Sequence, residues 1–355
     1  MPVEQVLLAE PRGFCAGVEM AIKALAWMVR LFDPPVYCYH EIVHNHLVVE
    51  RFQRLGVVFV DSIDDVPPGA PLMLSAHGSP PEVVDDARRR GRFVVDAVCP
   101  LVTKVHHEAK VRAEKGYTIL YVGHDGHDET VGTLAVAPAA MRLVERDEDL
   151  HRAVEGIADD APVALLAQTT LAVGDWHDVM ERARARFPNL WTAARDDLCY
   201  ATTNRQAALR AIAARADAVV VIGSATSSNT MALVKVAGSM GCERVLRVDA
   251  PDAVHPDALG DARVVGVTAG ASAPEDLVQA VVARLAPTRG VELVRVVDEA
   301  EYFPPPRELR ELVPALDALA ALMLGGDPDG ARRLAGPFGT DRGAEAATVL
   351  GPLPV

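Results

Sequence analysis

The stretch Phe93-Val94-Val95-Asp96-Ala97-Val98-Cys99-Pro100-Leu101-Val102 decides the fold. An apolar, β-branched run leads to a cysteine, and a proline then opens a pattern of helically spaced apolar residues that continues to about Lys115. Proline suits the first turn of a helix, where its missing N–H costs nothing. The cysteine therefore stands at a predicted helix N-terminus, where the dipole and the free N–H groups favour a thiolate. Two other places repeat the arrangement. Val6-Leu7-Leu8-Ala9 leads to Cys15 and a helical pattern from Ala16 to Val29. Leu190-Trp191 and Asp196-Asp197-Leu198 lead to Cys199 and the Ala-rich run from Ala207 to Ala216.

The likeness continues downstream of each cysteine. His44 follows Cys15 by 29 residues, His127 follows Cys99 by 28, and Ser228 follows Cys199 by 29. Apolar strands precede these tips: Pro35-Val36-Tyr37, Thr118-Ile119-Leu120-Tyr121 and Ala218-Val219-Val220-Val221. Phe59-Val60-Asp61, Leu143-Val144-Glu145 and Arg247-Val248-Asp249 come next. Further strands then end in Ser75-Ala76-His77-Gly78, Gln168-Thr169-Thr170 and Thr268-Ala269-Gly270-Ala271-Ser272.

Strands alternating with helices predict parallel βαβ units. In open parallel sheets, functional groups collect beyond the carboxyl ends of the strands, where every one of these polar tips falls. The cysteines are 84 and 100 residues apart, which predicts tandem α/β domains rather than a short-period solenoid. The expected segments are 1–97 (Cys15, His44, His77), 98–197 (Cys99, His127, Glu129, Thr169) and 198–310 (Cys199, Ser227, Asn229, Ser272, with a closing C-terminal segment). Residues 311–355, rich in Gly and Pro, read as a flexible tail with room for a short amphipathic helix around Leu316–Leu324.

Composition narrows the function. With 355 residues, 50% of them hydrophobic and 24% charged, the chain is globular in type, and wholesale disorder and fibrous folds are excluded. Against 49 Asp+Glu stand 35 Lys+Arg, a net charge of −14 without basic blocks, which argues against nucleic acid or an anionic membrane as partner. No apolar run reaches about 18 residues, so no membrane span is expected. Met1-Pro2-Val3-Glu4 lacks the features of a signal peptide, which points to the cytoplasm. A Gly-x-x-x-x-Gly-Lys loop is missing, so nucleotide hydrolysis has no support, and a flavin or nicotinamide fingerprint is missing too.

The five cysteines contain no C-x-x-C pair, and an odd number in a reducing compartment argues against a disulfide framework. Cys38 and Cys242 read as ordinary core thiols. Three thiolates, one per repeat, suit a 4Fe–4S cluster with one iron left open, much as a catalytic zinc site keeps one open position. Trigonal zinc is the competing metal.

The motifs resemble a known family. Pro11-Arg12-Gly13-Phe14-Cys15-Ala16-Gly17-Val18, His40-Glu41-Ile42-Val43-His44-Asn45, Ser75-Ala76-His77-Gly78 and Asp96-Ala97-Val98-Cys99-Pro100 are similar to the signatures of the 4-hydroxy-3-methylbut-2-enyl diphosphate reductase (IspH/LytB) family. Gly123-His124-Asp125-Gly126-His127-Asp128-Glu129, Gln168-Thr169-Thr170-Leu171, Cys199-Tyr200-Ala201-Thr202-Thr203-Asn204-Arg205-Gln206, Ser227-Ser228-Asn229 and Gly266-Val267-Thr268-Ala269-Gly270-Ala271-Ser272 continue the series in order.

The resemblance implies three small α/β domains, with mainly parallel sheets, in a pseudo-threefold arrangement around a central iron–sulfur cluster. It implies reductive dehydroxylation of an allylic alcohol diphosphate to isopentenyl and dimethylallyl diphosphate, the last step of the methylerythritol phosphate route. Cys15, Cys99 and Cys199 would hold the cluster, Glu129 would deliver the proton, and Thr169 would orient it. His44, His77, His127, Ser227, Ser228, Asn229 and Ser272 would bind the diphosphate, and a ferredoxin or flavodoxin would supply electrons. His124 is ambiguous, and His46, His106, His107, His151, His177 and His255 read as structural.

Two places depart from the pattern, Glu19-Met20 and Ser79-Pro80-Pro81, both beside the motifs rather than within them. The rival readings are a non-redox hydro-lyase on a three-cysteine cluster, similar to quinolinate synthase, and a non-catalytic iron–sulfur sensor.

Overall fold

The computed structural model describes residues 3–91, 93–193, 197–323 and 346. The chain begins with β1 (Gln5–Glu10) and α1 (Ala16–Leu31), then runs β2 (Val36–Tyr39), α2 (His46–Arg54), β3 (Val57–Val60), β4 (Leu72–Leu74), α3 (Pro81–Arg89) and β5 (Val94–Asp96). A second round follows: α4 (Pro100–Glu114), β6 (Thr118–Val122), α5 (Asp128–Leu134), β7 (Met141–Val144), α6 (Leu150–Ala153), β8 (Val163–Ala167), α7 (Val173–Arg186) and β9 (Trp191–Thr192). The third comprises α8 (Tyr200–Ala213), β10 (Ala218–Ile222), α9 (Ser228–Ser239), β11 (Val245–Val248), α10 (Pro256–Leu259), β12 (Val264–Ala269), α11 (Glu275–Leu285), β13 (Val291–Arg295) and α12 (Arg307–Met323).

Three sheets result, and every strand pair in them is parallel. Their orders are β3-β2-β4-β5, β7-β6-β8-β9 and β11-β10-β12-β1-β13. The first four places follow one rule: second strand, first, third, then the strand that runs into a cysteine. β5 leads to Cys99 and β9 to Cys199, while the third sheet takes the chain's own first strand, which leads to Cys15. The segment 1–97 thus delivers β1 to the sheet of the segment 198–310, with Leu7 beside both Gly266 and Glu292. All five residues of β8 and of β10 are buried, as central parallel strands covered on both faces must be.

The described residues fall into two compact units. One comprises Met1–Cys15, Ser79–Pro81 and Pro100–Ala300 and contains the second and third sheets. In it Leu209, Ile212 and Ala213 of α8, spaced to share one helix face, pack with Leu7, Val219, Val221 and Leu233. Full burial of each large aliphatic side chain stabilises by about 1.5–3 kcal/mol. The other unit comprises Ala16–Gly78, Glu82–Cys99 and the chain from Glu301, and contains the first sheet. There α12 packs on β5, burying Leu309 and Val313 one turn apart. The amphipathic helix expected around residues 316–324 therefore starts earlier, at Arg307. The flexibility expected of the tail beyond Met323 lies outside the described residues.

Helix starts are seated tightly on strand ends. A Cβ added to Gly223, after β10, or to Gly270, after β12, would overlap Thr230 Oγ1 in the first turn of α9. Only glycine lets the helix approach both tips at once.

Candidate active site

The three cysteines named from the sequence are held in the same way. The Cys99 N–H donates to the Ala76 carbonyl (3.0 Å), that of Cys199 to Thr169 (3.0 Å) and that of Cys15 to Ala271 (3.3 Å). Each acceptor lies two residues beyond the third strand of its sheet: β4, β8 and β12 respectively. All five cysteines are free. Cys38 is fully buried in β2, with burial pushing its thiol far up, and the Cys242 thiol donates to the Arg244 carbonyl; neither shares the arrangement.

Cys199 caps α8. Its Sγ accepts the Thr202 N–H at 3.3 Å and lies 3.1 Å from Thr202 Oγ1. Burial, with the neighbouring Cys15 adding to it, pushes the Cys199 thiol up to about 11. Left to itself beside Cys15, the Cys199 thiol would keep its proton. A cationic centre between them would reverse that, because thiolates are the metal-binding form. The donor set therefore fits an iron–sulfur group.

A continuous set of hydrogen bonds joins Cys15 to Cys199. The Cys15 N–H donates to Ala271 O, and the Ala271 N–H donates to Asn229 Oδ1 (3.0 Å). Asn229 Nδ2 donates to Thr202 Oγ1 (3.2 Å), which faces the Cys199 sulfur. Arg205, fully buried one turn along α8, makes a second tie. Its guanidinium donates to the carbonyls of Gly13 (2.7 Å) and Phe14 (3.2 Å), just before Cys15, and to the Glu299 carboxylate (3.0 Å). The sequence motif contained Thr202 and Arg205 but gave neither a role. The signal was present in their spacing, three and six residues past Cys199, the first of which is where a cap residue meets the first-turn N–H groups.

Glu129 is buried in the first turn of α5. Its Oε1 accepts the Thr169 N–H at 2.7 Å and its Oε2 lies 3.1 Å from Thr169 Oγ1. Burial raises it to about 7, against the pull of the Thr169 hydrogen bonds and with some help from Asp197. Asp197, itself pushed up to about 6 by burial, accepts the Ala167 N–H (3.2 Å) and pairs with Lys104 (3.4 Å).

His127 caps α5 and its Nδ1 accepts the Glu129 N–H (3.1 Å), which leaves Nε2 to carry the ring proton. His124, ambiguous in the sequence, sets Nδ1 and its backbone N–H against Gln168 Oε1 (3.1 and 3.0 Å), and Ser228 Oγ stands 3.5 Å from the same Nδ1. The Ser227 hydroxyl caps α9 by accepting the Thr230 N–H (3.3 Å). Ser272 is buried just past β12. Asn229 has both ends of its amide engaged. In the other unit, His44 and His77 stack with ring centroids 3.9 Å apart, at the tips of β2 and β4, and His44 Nδ1 lies 3.3 Å from Glu41.

Three parallel sheets, cysteines at three helix starts and a buried acid with a near-neutral pKa fit an α/β oxidoreductase. Residues 6–286 match the LytB protein family, and the chain belongs to it. It is 46% identical over 308 residues to the 4-hydroxy-3-methylbut-2-enyl diphosphate reductase of Rhodopirellula baltica, covering 86% of this chain and 96% of that protein. With the reductase of Mycobacterium leprae it shares 45% over 310 residues, 86% of this chain and 92% of the relative. The structure of the E-1-hydroxy-2-methyl-but-2-enyl-4-diphosphate reductase from Plasmodium falciparum superposes with a TM-score of 0.86 at 30% identity, over 89% of this chain and all of that one. A second solved reductase, described as the terminal enzyme of the non-mevalonate pathway, gives 0.58 at 28% identity over 80% of this chain and 99% of its own. The activity of the chain is that of this family, the reduction of 4-hydroxy-3-methylbut-2-enyl diphosphate at the terminal step of the methylerythritol phosphate route. No helix among the described residues is long and apolar enough to cross a membrane.

Proposed function

We propose that Cys15, Cys99 and Cys199 hold a 4Fe–4S cluster and that Glu129, positioned by Thr169, is the proton donor of the reductive dehydroxylation. The observation that carries this reading is the repeated seating of the three cysteines, each with its N–H on a carbonyl two residues past the third strand of a sheet. When bound, the cluster would supply electrons and, at its open iron, a Lewis acid for the substrate hydroxyl.

The rest is the work of side chains. Oε1 of Glu129 accepts an obligatory backbone N–H, so the acid proton resides on Oε2, beside Thr169 Oγ1. With a pKa of about 7, that carboxyl holds its proton near neutral pH yet releases it readily, as a general acid must. His44, His77, His127, Ser227, Ser228, Asn229 and Ser272 would bind the diphosphate. Directed donors are needed because the chain's net charge of −14 opposes a polyanion. The cap made by His127 uses Nδ1, and that made by Ser227 uses a lone pair of its hydroxyl oxygen. Electrons would come from a ferredoxin or flavodoxin in the cytoplasm.

Anaerobic purification with iron and sulfide analysis, followed by a dithionite-driven assay on 4-hydroxy-3-methylbut-2-enyl diphosphate, tests the site. Four irons per chain are expected, lost in Cys15→Ser, Cys99→Ser and Cys199→Ser and retained in Cys38→Ala. A colourless protein that binds zinc stoichiometrically would overturn the assignment.

A further inference from the structure

Thr202 stands out among the groups around Cys199 because its hydrogen bonds leave it one orientation. It is fully buried, so water cannot satisfy its hydroxyl. Asn229 is fixed about its amide axis: Oδ1 receives the Ala271 N–H, so Nδ2 is the end that faces Thr202. An amide nitrogen only donates, so Thr202 Oγ1 accepts there and its hydrogen remains available. The other polar atom at hydrogen-bond distance is the Cys199 sulfur, at 3.1 Å, and a metal-bound thiolate only accepts. The same sulfur already receives the Thr202 N–H.

We infer that Thr202 is a positioning residue that donates both its N–H and its O–H to the Cys199 thiolate, so that the relay from Ala271 through Asn229 raises the reduction potential of the cluster. Hydrogen bonds to sulfur withdraw electron density from the ligand and favour the reduced, more negative state of an iron–sulfur centre. The relay also starts at a residue whose carbonyl receives the Cys15 N–H, so it ties the spacing of two ligands to the electronics of one. This inference rests on the proposed ligand role of Cys199.

Thr202→Val keeps the shape and the backbone donor and removes the hydroxyl, whereas Thr202→Ser restores it. The readout is the midpoint potential of anaerobically purified holoenzyme, followed by electron paramagnetic resonance in a dithionite titration. T202V is expected to disfavour reduction about tenfold, a shift of about 59 mV to more negative potential for a one-electron couple, with T202S close to wild type. A fully loaded T202V at the wild-type potential overturns the inference while leaving the ligand assignment intact. A wild type without iron overturns both. If T202V does not load, deuterium ENDOR on wild-type holoenzyme after brief exchange into D₂O decides. A hydroxyl deuteron coupled to the cluster, retained in T202S, is required, and its absence refutes the donor role.

Discussion

Replacing Glu129 by Gln separates charge from shape. The amide keeps an oxygen to accept the Thr169 N–H and presents a donor to Thr169 Oγ1, so the local packing survives. What changes is ionisation. Burial raises the folded carboxyl from 4.5 to about 7, so between these values the unfolded chain releases a proton that the native state retains. A raised acid contributes stability that is complete below the unfolded value and is lost as pH rises through the folded one. The wild type should therefore lose about 3 kcal/mol relative to E129Q between pH 4.5 and 8, the free energy of a shift of this size. Urea unfolding of anaerobic wild type and E129Q at pH 5 and pH 8 measures it as a difference of differences, which cancels the other titrating groups. The two proteins should agree at pH 5, and E129Q should be the more stable at pH 8. Turnover of E129Q with dithionite should fall about 10²- to 10⁴-fold with iron content unchanged, the range expected for a lost general acid. A stability difference independent of pH would refute the buried, near-neutral carboxyl, and full turnover would refute its role as proton donor.

Other outcomes follow from the same geometry. Arg205→Met removes a fully buried guanidinium and strands Glu299, and should cost about 3–5 kcal/mol, read as a melting temperature lower by about 10 °C. The exposed pair Arg307–Glu311 is the control, and Arg307→Met should melt at the wild-type temperature. Gly270→Ala should destabilise by more than about 2 kcal/mol through its overlap with Thr230, and Thr230→Ala in the same chain should recover much of that, a coupling that a thermal-melt double-mutant cycle would detect.

Much of this site was legible before any coordinates. Cysteines at strand-to-helix junctions announced themselves through Pro100, through the apolar runs before them and through near-equal spacing to the polar tips. The destination of β1 was not legible. Val6–Ala9 is buried and reads as a strand, but an apolar run carries no label for its neighbours, and parallel pairing joins residues hundreds of positions apart, such as Leu7 and Gly266. Of the supporting polar network, only the spacing from Cys199 was legible. Arg205 and Thr202 sit in a helical stretch whose sequence would serve as well on a surface, and only burial makes their hydrogen bonds obligatory.

The repeat also bears on the proposed role of Glu129 as the proton donor. Asn45 caps α2, His127 caps α5 and Ser227 caps α9, and two residues on from these caps stand Leu47, Glu129 and Asn229. Glu129 accepts the N–H of Thr169, two residues past β8, and Asn229 accepts that of Ala271, two residues past β12. The two side chains thus do the same structural job, closing a helix start onto a strand tip. As a hydrogen-bond acceptor for that N–H, an amide serves as well as a carboxylate. Its cost is also constant with pH, while a carboxylate at this depth becomes costly once ionised. Asp197 already adds to the raising of Glu129, and a carboxylate at a second tip would add a further like charge. With an acid at one tip, an amide at the second and leucine at the third, Glu129 is the one carboxyl among these three positions. That suits the proposed delivery of a proton from Glu129 to one leaving oxygen.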